Sequence, residues 1–231
     1  MEYLPNGFTL QLCDGAFPLS TDSMLLAHFV KLRKNARVLD LGSGCGTLGL
    51  MLCARDETCT VTGLELSEAA HAAAEENIRH NGLHGRLNSI CTDLRILPAD
   101  YTGHFHCCLS NPPYFSGGPA SLATPLARRD DCCSPEQLCR TAAQALQFGG
   151  DFYLVHKPEK LAQLIVCGAA EGLELKNLTL VRHREGASPA MILLQFKKGG
   201  KPGMRLHEQS LYDSQGNPTD YYREVYHIKG D

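Results

Sequence analysis

The chain has 231 residues, 43% of them hydrophobic and 20% charged, which is typical of a globular protein built as one α/β domain. Its 22 Lys and Arg against 25 Asp and Glu give a net charge of −3, which excludes a broadly basic nucleic-acid coat but allows a local basic patch. Apolar runs are far shorter than the roughly 20 residues of a membrane-spanning helix, and no secretory signal is visible, so we expect a soluble, cytoplasmic protein.

Short apolar runs alternate with helical patterns along most of the chain. The runs predict strands over residues 37–40, 60–66, 87–91, 105–109 and 152–156. Helices are predicted between them, over residues 48–54, 68–80, 134–146 and 158–169. Strands that alternate with helices form a parallel sheet covered on both faces. We therefore predict an α/β fold with a doubly wound sheet.

The last third of the chain breaks this alternation. Residues 173–182 and 190–198 both have a strand pattern, and only a turn separates them. Two consecutive strands without a helix predict an antiparallel hairpin at that side of the sheet. We expect one domain over residues 1–200, followed by a polar, tyrosine-rich tail over residues 201–231 that packs on the domain or extends it.

A glycine-rich turn follows the first predicted strand. Gly42, Gly44 and Gly46 precede the next helix directly, and glycines there let a ligand approach the backbone at the carboxyl edge of the sheet. Thr47 occupies the position of the third glycine in a dinucleotide fingerprint, and the Gly-Lys-Ser/Thr of a P-loop is absent. The turn favours a ligand site, although a simple connection between strand and helix is the alternative.

Acidic residues mark the ends of the next two predicted strands. Glu65 lies 19 residues after Gly46, where a carboxylate can accept hydrogen bonds from both hydroxyls of a ribose. Asp93 ends the following strand, where we expect it to face an adenine amino group. Exposed strand-end carboxylates are the alternative, but with the glycine turn these residues predict a nucleoside-binding crevice.

The segment Asn111-Pro112-Pro113-Tyr114 follows the fourth predicted strand. Its two prolines fix the backbone and lack amide hydrogens, so the nearby carbonyls are available as acceptors. The Asn111 side-chain oxygen and the Pro112 carbonyl can together hold a planar amino group, and Tyr114 can stack on its π-system. A Pro-Pro turn with a packed aromatic is the alternative, but the position after the glycine turn and Glu65 favours an active site.

With these motifs the chain resembles the class I S-adenosylmethionine (SAM)-dependent methyltransferases of the Asn-Pro-Pro-Tyr group, most of all the bacterial tRNA-Val adenine-N6 methyltransferases. The similarity includes residues 19–27, 127–130 and 155–159 besides the two motifs. It implies the Rossmann-like class I methyltransferase fold, SAM as cofactor, a tRNA substrate and no metal. It also implies that SAM is bound by Asp40, Gly42, Gly44, Gly46, Glu65, Asp93 and Asn111, and that catalysis uses Asn111, Pro112, Pro113 and Tyr114.

The resemblance leaves two other functions open. The same tetrapeptide could serve a methyltransferase acting on a protein glutamine amide or on a guanine amino group. Glutamine methyltransferases usually carry a helical domain before the catalytic one, and only 37 residues precede Val38. A non-catalytic SAM-binding adaptor is the third possibility, but it would have no reason to keep Asn-Pro-Pro-Tyr intact.

Basic clusters and cysteines are less informative. The clusters Arg128-Arg129, Arg182-His183-Arg184 and Lys197-Lys198, the last with Lys201 and Arg205, could bind phosphates or simply face solvent. Relatives typically have Arg-His-Glu where this chain has Arg128-Arg129-Asp130, a departure that concerns RNA contacts. The eleven cysteines include no Cys-x-x-Cys pair, so we expect small, reduced, mostly buried side chains rather than metal ligands or disulfides. The sequence does not indicate an oligomeric state.

Overall fold

A computed structural model describes residues 2–4, 7–14, 19–112 and 134–227 of the chain. Two short strands, β1 (Glu2–Tyr3) and β2 (Thr9–Leu10), pair antiparallel near the N-terminus. The strands of the main sheet are β3 (Arg37–Leu41), β4 (Thr60–Glu65), β5 (Leu87–Cys91), β6 (Phe105–Ser110), β7 (Leu146–His156), β8 (Leu173–Arg184), β9 (Pro189–Lys198) and β10 (Arg205–Tyr212). The helices are α1 (Thr21–Phe29), α2 (Thr47–Arg55), α3 (Glu68–His80), α4 (Pro135–Ala145), α5 (Leu161–Ala170) and α6 (Asp220–Val225).

The main sheet has eight strands in the order β5-β4-β3-β6-β7-β9-β8-β10. Strand β9 runs antiparallel to both β7 and β8, and the other neighbouring strands are parallel. The predicted doubly wound, mostly parallel sheet with a C-terminal antiparallel hairpin is confirmed. Strand β3 lies between β4 and β6, so the carboxyl ends of these three strands meet at one edge of the sheet.

Helices cover both faces of the sheet. Val38 of β3 belongs to a buried cluster that includes residues of α1, α2 and α3, whereas Leu39 belongs to a second cluster that includes residues of α4 and α5. Successive side chains of a strand point to opposite faces, and a strand between two helical layers is therefore apolar on both. This double burial explains the continuous apolar runs in the sequence.

Local capping signals set the helix ends that the sequence predicts best. The Ser67 hydroxyl accepts a hydrogen bond from the Ala70 amide at the start of α3, and Gly82, with φ of +66°, follows the C-terminal end of that helix. At the start of α4, Ser134 and Gln137 form a reciprocal capping box. Both helices therefore begin and end within a residue of the predicted positions.

Two predictions of secondary structure were wrong. Strand β7 begins at Leu146 rather than at 152, because Gly149 and Gly150 look like a loop in sequence but here lie in a strand whose pairing with β6 shifts register. Beyond residue 198 we predicted no strand or helix, yet β10 pairs in parallel with β8 and α6 follows it. The first four residues of β10 are all exposed, so they show no apolar alternation, and the pairing with β8 holds the strand in place.

Cysteine burial agrees with the sequence interpretation. Of the nine cysteines in the described ranges, seven are buried and all nine are free thiols. Cys132 and Cys133 lie outside those ranges. None of the helices in the described part of the chain has the length and apolar character needed to cross a membrane.

Candidate active site

The glycine turn between β3 and α2 has a backbone that other residues rarely adopt. Gly42, Gly44 and Gly46 have φ values of +75°, +56° and +84°, in the left-handed region where a side chain would be strained. The amides of Gly42 and Ser43 donate to the Leu64 carbonyl at 2.9 and 3.0 Å, which ties the turn to the end of β4. The three predicted glycines therefore form one fixed turn at the carboxyl edge of the sheet.

Glu65, the last residue of β4, lies against this turn. Its Oε2 accepts a hydrogen bond from the Gly44 amide at 2.8 Å, and its Oε1 accepts one from the Ser67 amide at 2.8 Å. Each carboxylate oxygen has a second lone pair. The side chain can therefore accept further hydrogen bonds, such as those of two neighbouring hydroxyl groups, while it remains bound to the turn.

Asp40 lies in β3, just before the glycine turn, and is only 1% exposed. Among the described residues, neither of its carboxylate oxygens has a hydrogen-bond partner, and the nearby Ser43 hydroxyl has none either. Burial, and to a smaller extent the charge of Glu65, raises the pKa of Asp40 from 3.8 to about 8. Because buried polar groups are normally satisfied, an orphaned carboxyl beside a glycine turn indicates a place that a ligand completes.

A small cavity beside the turn is lined by Asp40, Ser43, Gly46 and Gly63, among others. A Cβ atom at residue 63 would lie 2.4 Å from the Ser43 Oγ, so the serine side chain occupies space that only a glycine in β4 leaves free. We did not single out Ser43 or Gly63 from the sequence. A glycine inside a predicted strand was the available signal, since it often marks a close approach.

Asn111 directly follows β6 and is held from two sides. The Ser110 hydroxyl, which is buried, donates to the Leu41 carbonyl at 2.7 Å and so joins the end of β6 to the end of β3. The Asn111 Nδ2 donates to the Ser23 Oγ in α1 at 3.0 Å. Asn111 and Pro112 thus stand beside the strand that enters the glycine turn. Pro113 and Tyr114 lie outside the described residues.

Asp93 is held by its own turn. Its carboxylate accepts hydrogen bonds from the Arg95 backbone amide at 2.9 Å and from the Arg95 guanidinium, which lowers the pKa of the carboxyl. The amide of Thr92 donates to the Glu65 carbonyl at 2.8 Å, so this turn does lie beside the end of β4. A ligand amino group at Asp93 would share the carboxylate with Arg95. The contact between Asp93 and an adenine amino group stays a prediction.

Three residues of the C-terminal basic clusters are engaged within the protein. Arg182 pairs with Glu208 at 2.8 Å, Lys197 pairs with Asp151 at 3.0 Å, and the Lys198 Nζ donates to a backbone carbonyl. Such contacts reduce the charge available to phosphate groups. Arg128, Arg129 and Asp130 lie outside the described residues. Within the described ranges there is no group of three or more His, Cys, Asp or Glu side chains that could hold a metal ion.

Comparison with protein families gives a match to the methyltransferase small domain over residues 18–168. Among curated proteins, the chain is similar to the tRNA1(Val) (adenine(37)-N6)-methyltransferase of Tolumonas auensis, with 32% identity over 84% of this chain and 81% of the relative. The protein of the same name from Citrobacter koseri is 34% identical over 78% of this chain and 75% of its own length. One from Bacteroides fragilis is 30% identical over 91% of each chain.

Solved structures show the same fold at low sequence identity. A protein described as a predicted O-methyltransferase from Agrobacterium tumefaciens superposes with a TM-score of 0.75 and 22% identity, over 90% of this chain and 96% of that one. A geranyl diphosphate methyltransferase in complex with SAM superposes with a TM-score of 0.56 and 14% identity, over 77% of this chain and 84% of that one. At these identities the likeness concerns the fold alone.

Proposed function

The chain belongs to the methyltransferase small domain family, and we propose that it transfers the methyl group of SAM to N6 of an adenine in tRNA. Relatives from three bacteria carry that activity in their names, at adenine 37 of tRNA1(Val), and each match spans three quarters or more of both chains. A tRNA substrate favours the cytoplasm as the place of action. We further propose that residues 1–200 form the catalytic domain and that residues 201–231 extend it.

One arrangement of three strands carries this proposal. Asn111 directly follows β6, and β6 pairs with β3. The other neighbour of β3 is β4, which ends in Glu65 beside the glycine turn. A cofactor bound across β3 and β4 would therefore lie beside Asn111. Asn111 Oδ1 and the Pro112 carbonyl are both hydrogen-bond acceptors, and an amino group presents two N–H donors. This pairing fits an amine or amide as the methyl acceptor.

The residues around the glycine turn fit SAM. The glycines of the left-handed turn have no side chains, so a ligand can approach the backbone there. Glu65 has lone pairs for the ribose hydroxyls. Asp40 has a buried carboxyl without a partner among the described residues. SAM carries an ammonium and a sulfonium, either of which would favour the ionised form of Asp40. When bound, SAM supplies an electrophilic methyl group.

The protein's part in the reaction is to bind and orient the acceptor. An adenine amino nitrogen is a poor nucleophile because its lone pair is delocalised into the ring. Hydrogen bonds to Asn111 Oδ1 and the Pro112 carbonyl would favour its pyramidal, nucleophilic form as positive charge develops there. Placing the amino nitrogen in line with the methyl group to be transferred would supply the remaining acceleration by proximity. The base must leave its stack to reach this edge, and we assign Tyr114 to stack on it there.

Mass spectrometry of nucleosides tests the proposal. Unmodified bulk tRNA is incubated with the enzyme and isotope-labelled SAM, digested to nucleosides and compared with a reaction of the Asn111→Ala variant. We expect labelled N6-methyladenosine with wild type and far less with the variant. Labelled methylguanosine, or label found only on protein, would replace adenine N6 with one of the two other acceptors. SAM binding without any transferred label would leave the adaptor function.

A further inference from the structure

The Asn111 side chain is linked to the first turn of α1 by a chain of side-chain hydrogen bonds. Its Nδ2 donates to the Ser23 Oγ at 3.0 Å, and the Ser23 Oγ lies 3.2 Å from the Ser20 Oγ. Ser20 is the N-cap of α1, and its Oγ also accepts the Ser23 amide hydrogen at 3.2 Å. Ser23 is only 8% exposed, so this link is largely shielded from water.

The chemistry of these groups gives the Asn111 amide a direction. Its nitrogen can only donate, and its oxygen can only accept. When Ser23 gives its single hydroxyl hydrogen to Ser20, Ser23 can only accept from Asn111, so Nδ2 faces α1 and Oδ1 faces away from it. A flipped amide would require Ser23 to turn its hydroxyl hydrogen from Ser20 to Oδ1. It would also present an N–H donor to an acceptor amine that itself needs an acceptor.

The scaffold around this link is anchored independently of the cofactor. The Thr21 Oγ1 lies 3.0 Å from the Tyr226 hydroxyl just beyond α6, which joins the first turn of α1 to the C-terminal part of the chain. On the other side, Ser110 fixes the start of the Asn111 segment to the Leu41 carbonyl. Both ends of the Ser23–Asn111 bond are therefore held in place.

We propose that Ser23 is a positioning residue that keeps the Asn111 amide with its oxygen toward the methyl acceptor. This role rests on the proposed function, because it presumes that Asn111 Oδ1 accepts a hydrogen bond from the acceptor amine. Ser23 itself acts only through Asn111. Removing its hydroxyl should lower the fraction of enzyme with the productive amide orientation and leave SAM and tRNA binding intact.

Steady-state and single-turnover kinetics of Ser23→Ala test this role. We expect kcat to fall about tenfold, the effect of losing one hydrogen bond, while the KM for tRNA and the Kd for SAM stay within about twofold. The control is Thr179→Val. It also removes the hydroxyl of a buried residue, but in β8, three strands from β6 in the sheet, and we expect its kcat to be unchanged.

A double-mutant cycle separates positioning from general damage. In an Asn111→Ala background, Ser23→Ala should cause no further loss of the single-turnover rate, because the group it orients is gone. The same tenfold loss in that background would overturn the proposal, as would a wild-type kcat for Ser23→Ala. If Ser23→Ala is unstable, Ser23→Thr provides the test. It retains a hydroxyl, so its kcat should stay within about twofold of wild type, and a loss of about tenfold would contradict the role.

Failure of the positioning role and failure of the proposed function give different results. If wild-type enzyme does not methylate tRNA, the proposed function is wrong, and the orientation is then measured without activity. The NMR signals of the Asn111 side-chain amide, assigned by their loss in Asn111→Ala, should exchange with water more slowly in wild type than in Ser23→Ala. Equal exchange rates in the two proteins would contradict the link between Ser23 and Asn111.

Discussion

The two sides of β3 at the carboxyl edge of the sheet satisfy their polar groups differently. On the β4 side, the carboxylate of Asp40 and the hydroxyl of Ser43 are buried without partners among the described residues. On the β6 side, Ser110 donates to the Leu41 carbonyl and Asn111 donates to Ser23. The two sides share one strand but differ in whether the protein alone completes their hydrogen bonds.

This difference separates a site that a ligand completes from one that is organised beforehand. A buried polar group without a partner costs free energy in the free protein, and a ligand that supplies the missing partner recovers that cost. A polar group already held by neighbours needs no rearrangement when charge develops beside it. We therefore expect changes on the β4 side to act on cofactor binding and on pH dependence, and changes on the β6 side to act on turnover.

The largest expected effect is that of Asn111→Ala. It removes one acceptor for the amino group on the organised side, and we expect kcat to fall by about 10²–10³, as for loss of one transition-state hydrogen bond. SAM affinity measured by calorimetry should remain within a few-fold of wild type. The loss of kcat would then belong to the methyl-transfer step rather than to cofactor binding. Wild-type turnover by this variant would contradict the proposed mechanism.

On the β4 side, Glu65→Ala should weaken SAM binding at least about tenfold, because hydrogen bonds to the ribose hydroxyls and to the Gly44 amide are both lost. Calorimetry with SAM measures the change. The matched control is Glu68→Ala, which removes the same charge from an exposed position three residues later, outside the glycine turn. Equal affinities for wild type and Glu65→Ala would remove Glu65 from the cofactor site.

Asp40→Asn should make the stability of the free protein less sensitive to pH. The pKa of Asp40 is raised from 3.8 to about 8 by burial and by Glu65, so its contribution to stability is fully present below pH 4 and is lost as the pH rises through 8. Asparagine cannot ionise. The melting temperature of Asp40→Asn minus that of wild type should therefore become more positive from pH 5 to pH 8.

The comparison of two proteins at two pH values removes the titration of the other groups, which both proteins share. A difference in melting temperature that stays constant between pH 5 and pH 8 would show that Asp40 does not carry the raised pKa. With saturating SAM, wild type should gain more stability than Asp40→Asn. The variant has no carboxylate at this position to interact with the positive charges of SAM.

On the β6 side, Ser110→Ala should lower the stability of the free protein. It leaves the Leu41 carbonyl without the hydroxyl that now donates to it at 2.7 Å. We expect the melting temperature to fall by about 2–12 °C, from a cost of roughly 1–3 kcal/mol. Ser214→Ala, at an exposed position, should change it by no more than about 2 °C. An unchanged melting temperature for Ser110→Ala would contradict the claim that the Ser110 hydroxyl satisfies the Leu41 carbonyl on the β6 side.

The part of the fold that could be predicted from sequence is the part with local signals. Strand β3 is an apolar run that ends in glycines, and α3 has a serine cap at its start and Asn81-Gly82 at its end. Strand β10 could not be predicted, because it is polar and exists through backbone pairing with β8, a partner that its own residues do not indicate.

The candidate site divides in the same way. The Gly-x-Gly-x-Gly turn and the Asn-Pro-Pro-Tyr segment were found because their chemistry lies within a few neighbouring residues. The bond between Ser23 and Asn111 joins positions 88 residues apart, and a serine in the first turn of a helix is ordinarily interpreted as a cap. The unsatisfied state of Asp40 likewise depends on which strands surround it, so only the folded chain reveals it.

Crystal structures of the protein without ligand and with S-adenosylhomocysteine test the difference between the two sides most directly. We predict that the Asn111 Nδ2 stays within hydrogen-bond distance of the Ser23 Oγ in both structures, and that Asp40 has a hydrogen-bond donor, direct or through water, only in the complex. A free protein in which the Asn111 side chain points elsewhere, or in which Asp40 is already fully hydrogen-bonded, would contradict the account.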